Sequence, residues 1–153
     1  MLQPKQKKPV TTILVAWLLA GTLDICSALI SVRLHSGKSP IIVFNYIASA
    51  VFGKEEAYAG GTPMIIAGLL FHYLVALIFT VIFFLLYPGI YPVLKNKFVA
   101  GILYGLFVWC VMNLVVVPLT RIPSRHITFS GALENILILM LAIGLPVSLI
   151  SYR

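Results

Sequence analysis

One stretch limits the possible folds of this chain more than any other: the 25 residues from Pro63 to Tyr87. Apart from tyrosines, this run carries one ionisable side chain, His72. The hydrocarbon core of a bilayer is about 30 Å thick, and a helix of about 20 apolar residues crosses it. So long an apolar run suits lipid rather than water, and it predicts an integral membrane protein.

The composition supports the same class. Hydrophobic residues make up 61% of the chain and charged residues 10%, with a mean hydropathy of +1.06, whereas soluble domains carry about 25% charged residues. The apolar residues fall in long blocks rather than at amphipathic spacing, which indicates membrane spans. At 153 residues we expect one membrane domain, 1–153.

The net charge of +7 raises the question of nucleic acid. No basic face with interleaved aromatic residues is present, and the lysines and arginines lie between the apolar runs. We therefore expect contact with anionic lipid headgroups and no nucleic-acid partner. The two cysteines, Cys26 and Cys110, lie inside apolar runs and predict no disulfide framework.

The apolar blocks predict an all-α fold with four transmembrane helices, at about 12–32, 63–87, 98–119 and 131–150. A basic start before an apolar run is also typical of a signal peptide. The first run is too long for that, and no small-x-small cleavage site follows it. We therefore interpret it as a retained first span.

A short additional helix is predicted between the first and second spans, at about 40–52. Ser39-Pro40 is a typical helix start, and Gly53 is a typical stop. Twelve helical residues extend about 18 Å, too short to cross about 30 Å of hydrocarbon. We expect an interfacial or re-entrant helix.

Four spans place both termini on one side of the membrane. Basic residues are slightly more numerous on that side, and the N-terminal cluster favours a cytoplasmic location. The termini side carries Lys5, Lys7, Lys8, Lys95, Lys97 and Arg153, and the other side carries Arg33, Lys38, Lys54, Arg121 and Arg125. The 40–52 helix then lies on the outer face.

Three polar residues are predicted to share a depth in the outer half of the membrane. Asp24 lies nine residues before Arg33, and His72 lies nine residues after Pro63. Nine helical residues extend about 13 Å. Asn113 has a similar depth in the third span. Our hypothesis is that Asp24 and His72 face each other across the bundle, with Asn113 nearby, as a polar intramembrane cluster.

Each of these side chains also has a structural interpretation. His72 can donate to a backbone carbonyl of a neighbouring helix, and asparagines such as Asn113 often join helices by hydrogen bonds. Asp24 is harder to explain in this way. A carboxylate deep in hydrocarbon costs about 2.5–3.5 kcal/mol on insertion scales, so it requires a partner, water or a proton.

A possible outer rim to the cluster consists of Asn45, Glu134 and Asn135. Glu134 lies near the start of its helix, where the macrodipole stabilises a carboxylate. Asn135 again has the alternative role of joining helices.

Stripes of small residues favour close packing of the spans that carry the cluster. The third span contains GILYG at 101–105, which matches a small-xxx-small contact. The three stripes are Ala16, Ala20, Asp24, Ser27 and Ser31; Gly68, His72, Ala76 and Thr80; and Gly101, Gly105, Trp109 and Asn113.

No catalytic residues, metal ligands or cofactor are predicted. The sequence lacks H-x₃-H, E-x-x-H and G-x-S-x-G patterns. Asp24 and His72 supply only two ligands, and the serines beside Asp24 are explained by packing.

Five segments together resemble a widespread family of small bacterial four-span inner-membrane proteins. They are AGTLDI at 20–25, VFGKEEAYAGGTPM at 51–64, GLLFHY at 68–73, YGLFVWCVMNLVVVPL at 104–119 and IGLPVSL at 143–149. The resemblance implies a bacterial inner-membrane location and no particular reaction. Family positions map onto Asp24, His72, Met112, Asn113, Val116, Pro118 and Leu119. Some relatives carry a histidine where this chain has Glu134-Asn135.

Three classes of function remain open at this point. The first is a non-enzymatic accessory or structural protein with a partner membrane protein. The second is a small-solute or proton-linked transporter that acts as a homo-oligomer, since imidazole titrates near neutrality. The third, ranked last, is an intramembrane enzyme.

Overall fold

The computed structural model describes residues 9–122 and 128–151, and this part of the chain contains helices and no strand. The helices are α1 (Pro9–Ser36), α2 (Ile42–Phe52), α3 (Lys54–Ala59), α4 (Gly61–Leu94), α5 (Lys97–Leu119) and α6 (Phe129–Ser151). Helices α1, α4, α5 and α6 are long and apolar enough to cross a membrane. The predicted fold class, with a short apolar helix between the first two spans, is confirmed.

The second span extends further than predicted. Helix α4 begins at Gly61 and continues through Pro88 and Pro92 to Leu94, a length of 34 residues or about 51 Å. The sequence predicted an end at Tyr87 because proline removes a helical N–H. In the structure the helix ends at Leu94. The next residue, Lys95, adopts a left-handed conformation (φ 49°), and its N–H donates to the Tyr91 carbonyl.

Helices α5 and α6 each contain a π-helical segment shortly before a proline. Met112–Val116 precedes Pro118, and Met140–Gly144 precedes Pro146. Proline clashes with the carbonyl four residues earlier and leaves it unbonded. A wider turn relieves this conflict, which is how membrane helices tolerate proline without exposing backbone groups to lipid.

The four long helices form a closed ring in which α1 packs between α4 and α6 while α5 packs against α6 and α4. The best-packed core lies in the half of the bundle nearer the termini, where the Tyr104 hydroxyl donates to the Phe79 carbonyl. This core consists of Ala20, Phe79, Phe83, Tyr104, Val108, Ile143 and Val147.

Glycines set the spacing between α5 and α6. A Cβ added at Gly144 would lie 2.0 Å from the Gly101 carbonyl oxygen, and one at Gly105 would lie 2.5 Å from Met140 Cα. The two backbones are therefore in direct contact. The predicted small-xxx-small contact at 101–105 is confirmed, and its partner is α6.

Helix α2 packs along the first half of α4. A Cβ at Gly68 would lie 2.1 Å from the Phe44 carbonyl oxygen, so the two helices touch backbone to backbone there. The Arg121 N–H, just beyond α5, donates to the Ala50 carbonyl and ties the end of the third span to α2. Several basic residues of the topology prediction, Lys5, Lys7, Lys8, Arg125 and Arg153, lie outside the described residues.

Candidate functional site

His72 joins the first two spans. Its Nε2 lies 2.8 Å from the Gly21 carbonyl oxygen of α1. A carbonyl accepts only, so Nε2 carries the hydrogen and donates it. This bond is the structural role considered for His72 from the sequence.

Two aromatic residues extend this contact between α1 and α4. The Trp17 indole donates to the Tyr73 carbonyl at 2.7 Å, and the Thr22 and Tyr73 hydroxyls lie 2.9 Å apart. A Cβ at Gly21 would stand 3.1 Å from the Tyr73 ring, so a larger residue there would push the ring away. These polar contacts were not predicted, because tryptophan and tyrosine count as apolar in a hydropathy pattern.

Asp24 lies three residues beyond the carbonyl that His72 binds. On a helix that spacing is almost one turn, so the carboxylate lies on the face that meets the imidazole. Asp24 is half-buried and close enough to His72 for an electrostatic interaction. However, the Asp24 carboxylate forms no ion pair within 4.0 Å and accepts no hydrogen bond from the described residues.

Asn113 is not joined to this pair. Its amide donates to the Trp109 carbonyl of the same helix at 3.0 Å. The Trp109 indole N–H is buried without a hydrogen-bond partner in the described part of the chain. The three-residue cluster therefore stays a prediction, with Asp24 and His72 as its neighbouring members.

A second polar group joins the C-terminal end of α1 to the N-terminal part of α6. The Ser31 hydroxyl donates to Glu134 Oε1 at 3.1 Å, and His35 Nε2 lies 3.4 Å from Glu134 Oε2. Glu134 thus contacts a neighbouring helix. The macrodipole interaction expected from the sequence is weak, because α6 begins at Phe129 and Glu134 lies beyond its first turn. The sequence interpretation missed His35 because the first span was ended at residue 32. One feature of the sequence could have indicated this contact: His35 lies four residues after Ser31, which places both on the same helical face.

The His35 ring makes this second link sensitive to protonation. Its Nδ1 donates to the Ser31 carbonyl at 3.0 Å, which places the hydrogen of a neutral ring on Nδ1. Nε2 then attracts the Glu134 carboxylate only when a proton lies between them. Side-chain exposures of 64% for His35 and 40% for Glu134 keep the stabilisation small.

The other two predicted rim residues have local roles. Asn45 Nδ2 donates to the Ala57 carbonyl at 2.7 Å and fastens α2 to α3. Asn135 Nδ2 donates to the Gly131 carbonyl of its own helix at 2.8 Å. Neither amide is hydrogen-bonded to Asp24 or His72, and the outer rim stays a prediction.

The His35–Glu134 contact can hold a proton between an imidazole and a carboxylate, and the bonds of Trp17 and His72 fasten α1 to α4. Within residues 9–122 and 128–151, no group of three or more His, Cys, Asp or Glu side chains is placed to bind a metal ion.

The fold and these contacts define a multi-pass α-helical membrane protein. No protein-family model, curated protein or solved structure matches the chain.

Proposed function

We propose that this chain is a non-enzymatic component of a bacterial inner membrane, an accessory or structural protein that acts through contact with a partner membrane protein or a second copy of itself. In this proposal both termini face the cytoplasm and α2 lies at the outer face. The bacterial location rests on the segments quoted above, and the orientation on the basic N-terminal cluster.

One observation carries the proposal. The N–H of His72, the histidine in the longest apolar run, is used in a hydrogen bond between two helices. Its bond to the Gly21 carbonyl fixes α4 against α1. The amides of Asn45, Asn113 and Asn135 also donate to backbone carbonyls. Side chains committed to backbone bonds support a scaffold better than a reaction centre.

The test measures mass and flux on the same preparation. In mild detergent, the protein mass of the particle, without its bound detergent, should exceed the 16.8 kDa of one chain by a constant amount. A second copy or a partner then stays bound at fixed stoichiometry. Vesicles containing it should leak protons no faster than empty vesicles. A lone chain of 16.8 kDa would contradict the proposal.

Replacing His72 tests its packing role. We expect His72→Phe to lower the free energy of unfolding by about 0.6–1.7 kcal/mol, the range for interhelical hydrogen bonds in membranes. His72→Gln should recover much of the loss, because its amide can still donate to the Gly21 carbonyl. Denaturation in mixed micelles, followed by tryptophan fluorescence, measures both. Equal stability of all three proteins would show that the bond contributes nothing.

A second candidate, proton-linked transport or binding, is favoured by Asp24 alone. Its half-buried carboxylate interacts electrostatically with His72 and has no hydrogen bond among the described residues. Such a group within a span needs a proton, water or a ligand. In this alternative the active form is an oligomer, because four spans enclose little space for a solute path.

For the second candidate we expect a proton flux in vesicles that Asp24→Asn reduces at least about tenfold, because an amide takes up no proton at neutral pH. A pH-sensitive dye inside the vesicles reports the flux, and Thr22→Val is the control because it changes a neighbouring group that does not titrate. Flux unaffected by Asp24→Asn would exclude this candidate.

A further inference from the structure

A groove lies on the exposed side of α1, where that helix ends and the chain turns toward α2. It encloses about 330 Å³ and is lined by Leu29, Ile30, Arg33, Leu34 and Pro40. Apart from Arg33 the lining is apolar, and Ile30 is 59% exposed and Leu34 76%. In a bilayer this surface meets lipid chains.

The same face of α1 stays exposed toward the middle of the membrane. Leu23, Cys26 and Ile30 follow one another at steps of three and four residues, and all three are exposed. From Leu23 to Arg33 the helix rises about 15 Å, half of the hydrocarbon thickness of about 30 Å. An acyl chain of one leaflet can therefore lie along this face with its headgroup beside Arg33.

The Arg33 side chain is held at the end of the groove by the turn that follows α1. Its Nη1 donates to the Gly37 carbonyl at 3.0 Å, and the Gly37 N–H donates to the Arg33 carbonyl at 3.2 Å. Gly37 has a φ of 63°, the left-handed conformation in which glycine commonly ends a helix. The side-chain bond uses one of the five guanidinium N–H groups, so donors in a planar fork remain for a phosphate.

The charge at this end of the groove is positive. Lys38 lies five residues after Arg33, and both residues are exposed. All four acidic residues of the chain belong to the described part, and none of their carboxylates lies within 4.0 Å of a side-chain nitrogen of Arg33 or Lys38. Glu134 contacts Ser31 and His35, which lie on the other side of α1, because two residues of helix rotate by about 200°.

We propose that this groove binds one anionic phospholipid, with an acyl chain along Ile30 and Leu23 and the phosphate bound by Arg33 beside Lys38. A zwitterionic lipid with the same chains offers the same phosphate, but its own cation cancels the net charge that attracts the two side chains. The site is independent of the proposed function, since it uses none of the residues that join α1 to α4.

The test compares phosphatidylglycerol with phosphatidylcholine of identical chains, added to the full chain in neutral detergent, with bound lipid counted by native mass spectrometry. We expect one tightly bound phosphatidylglycerol, and a phosphatidylcholine affinity at least about fivefold weaker, the effect of about 1 kcal/mol for one basic residue at an anionic surface. Arg33→Gln should remove this preference. Arg33→Lys should keep part of it, because lysine retains the charge but not the planar fork.

Matched controls separate a built site from general attraction. Arg121→Gln removes the same charge just beyond the third span, at the same end of the bundle, and should preserve the preference. Ile30→Trp should abolish binding of both lipids, because the indole covers the groove while its added atoms meet no packed protein. Leu18→Trp adds the same ring at a 51% exposed position in the other half of α1 and should leave binding unchanged.

Three results would overturn the proposal. They are an equal loss of preference from Arg33→Gln and Arg121→Gln, an unchanged preference in Arg33→Gln, and lipid that stays bound in Ile30→Trp.

Discussion

Gly144→Ala is expected to lower the free energy of unfolding by about 3 kcal/mol or more, at or above the upper end of the usual cost of overpacking. The added Cβ would stand 2.0 Å from the Gly101 carbonyl oxygen and 2.9 Å from the Gly105 nitrogen. Both are backbone atoms, which cannot rotate away as a side chain does. Helices α5 and α6 would have to separate along this contact and loosen the adjacent core at Tyr104 and Val147.

The measurement is unfolding in mixed micelles, with Gly89→Ala as the matched control. Gly89 also lies within a helix, but its added Cβ would meet nothing within 4 Å. The control should be neutral or more stable by up to about 1 kcal/mol, the difference in helix propensity. If both variants unfold at the same denaturant concentration, the backbones of α5 and α6 are not in contact at Gly144.

The span count and the helix class could be predicted from sequence because lipid imposes them directly. An apolar run long enough to cross hydrocarbon has few alternatives to a helix, since unpaired backbone groups are costly there. Helix ends were less predictable. Proline at position 88 is a stop signal in water, yet α4 continues to Leu94.

Contacts between polar side chains were harder to predict. Counting residues placed Asp24 and His72 at one level, and that shared depth stays a prediction; the His72 imidazole donates to the Gly21 carbonyl, three residues before Asp24. The same count placed Asn113 nearby, yet its amide bonds within α5. Helical period identifies the face on which a residue lies, whereas the neighbour of that face depends on the order of helices around the ring. The α5 stripe meets α6, through Gly101 and Gly105.

The pair formed by His35 and Glu134 shows a related limit. Both residues lie at the ends of their spans opposite the chain termini, but His35 follows the last residue predicted for the first span. Helix α1 continues to Ser36, and this extra turn carries the imidazole to within 3.4 Å of the carboxylate. A small error in a helix boundary was therefore enough to hide a contact between helices.

Gly68→Ala is expected to detach α2 from α4 with a cost of about 3 kcal/mol, again at the upper end for overpacking. The new Cβ would lie 2.1 Å from the Phe44 carbonyl oxygen and 2.7 Å from its carbon, so the α2 backbone has to move outward. The stacked rings of Phe52 and Phe71, 6.0 Å apart, would separate as well. Faster hydrogen exchange within residues 42–52 is the direct measurement.

The rest of the bundle should stay protected in that experiment, which distinguishes local detachment from global unfolding. Phe83 lies 15 residues from Gly68, about 22 Å along α4, in the core shared with α5 and α6. Leu70→Ala is the matched control, because Leu70 is 63% exposed and α2 should keep its protection when that side chain is shortened. Equal exchange in α2 for both variants would mean that this helix is not held by the contact at Gly68. Faster hydrogen exchange confined to α2 would show that this helix can leave the bundle while the four spans remain packed.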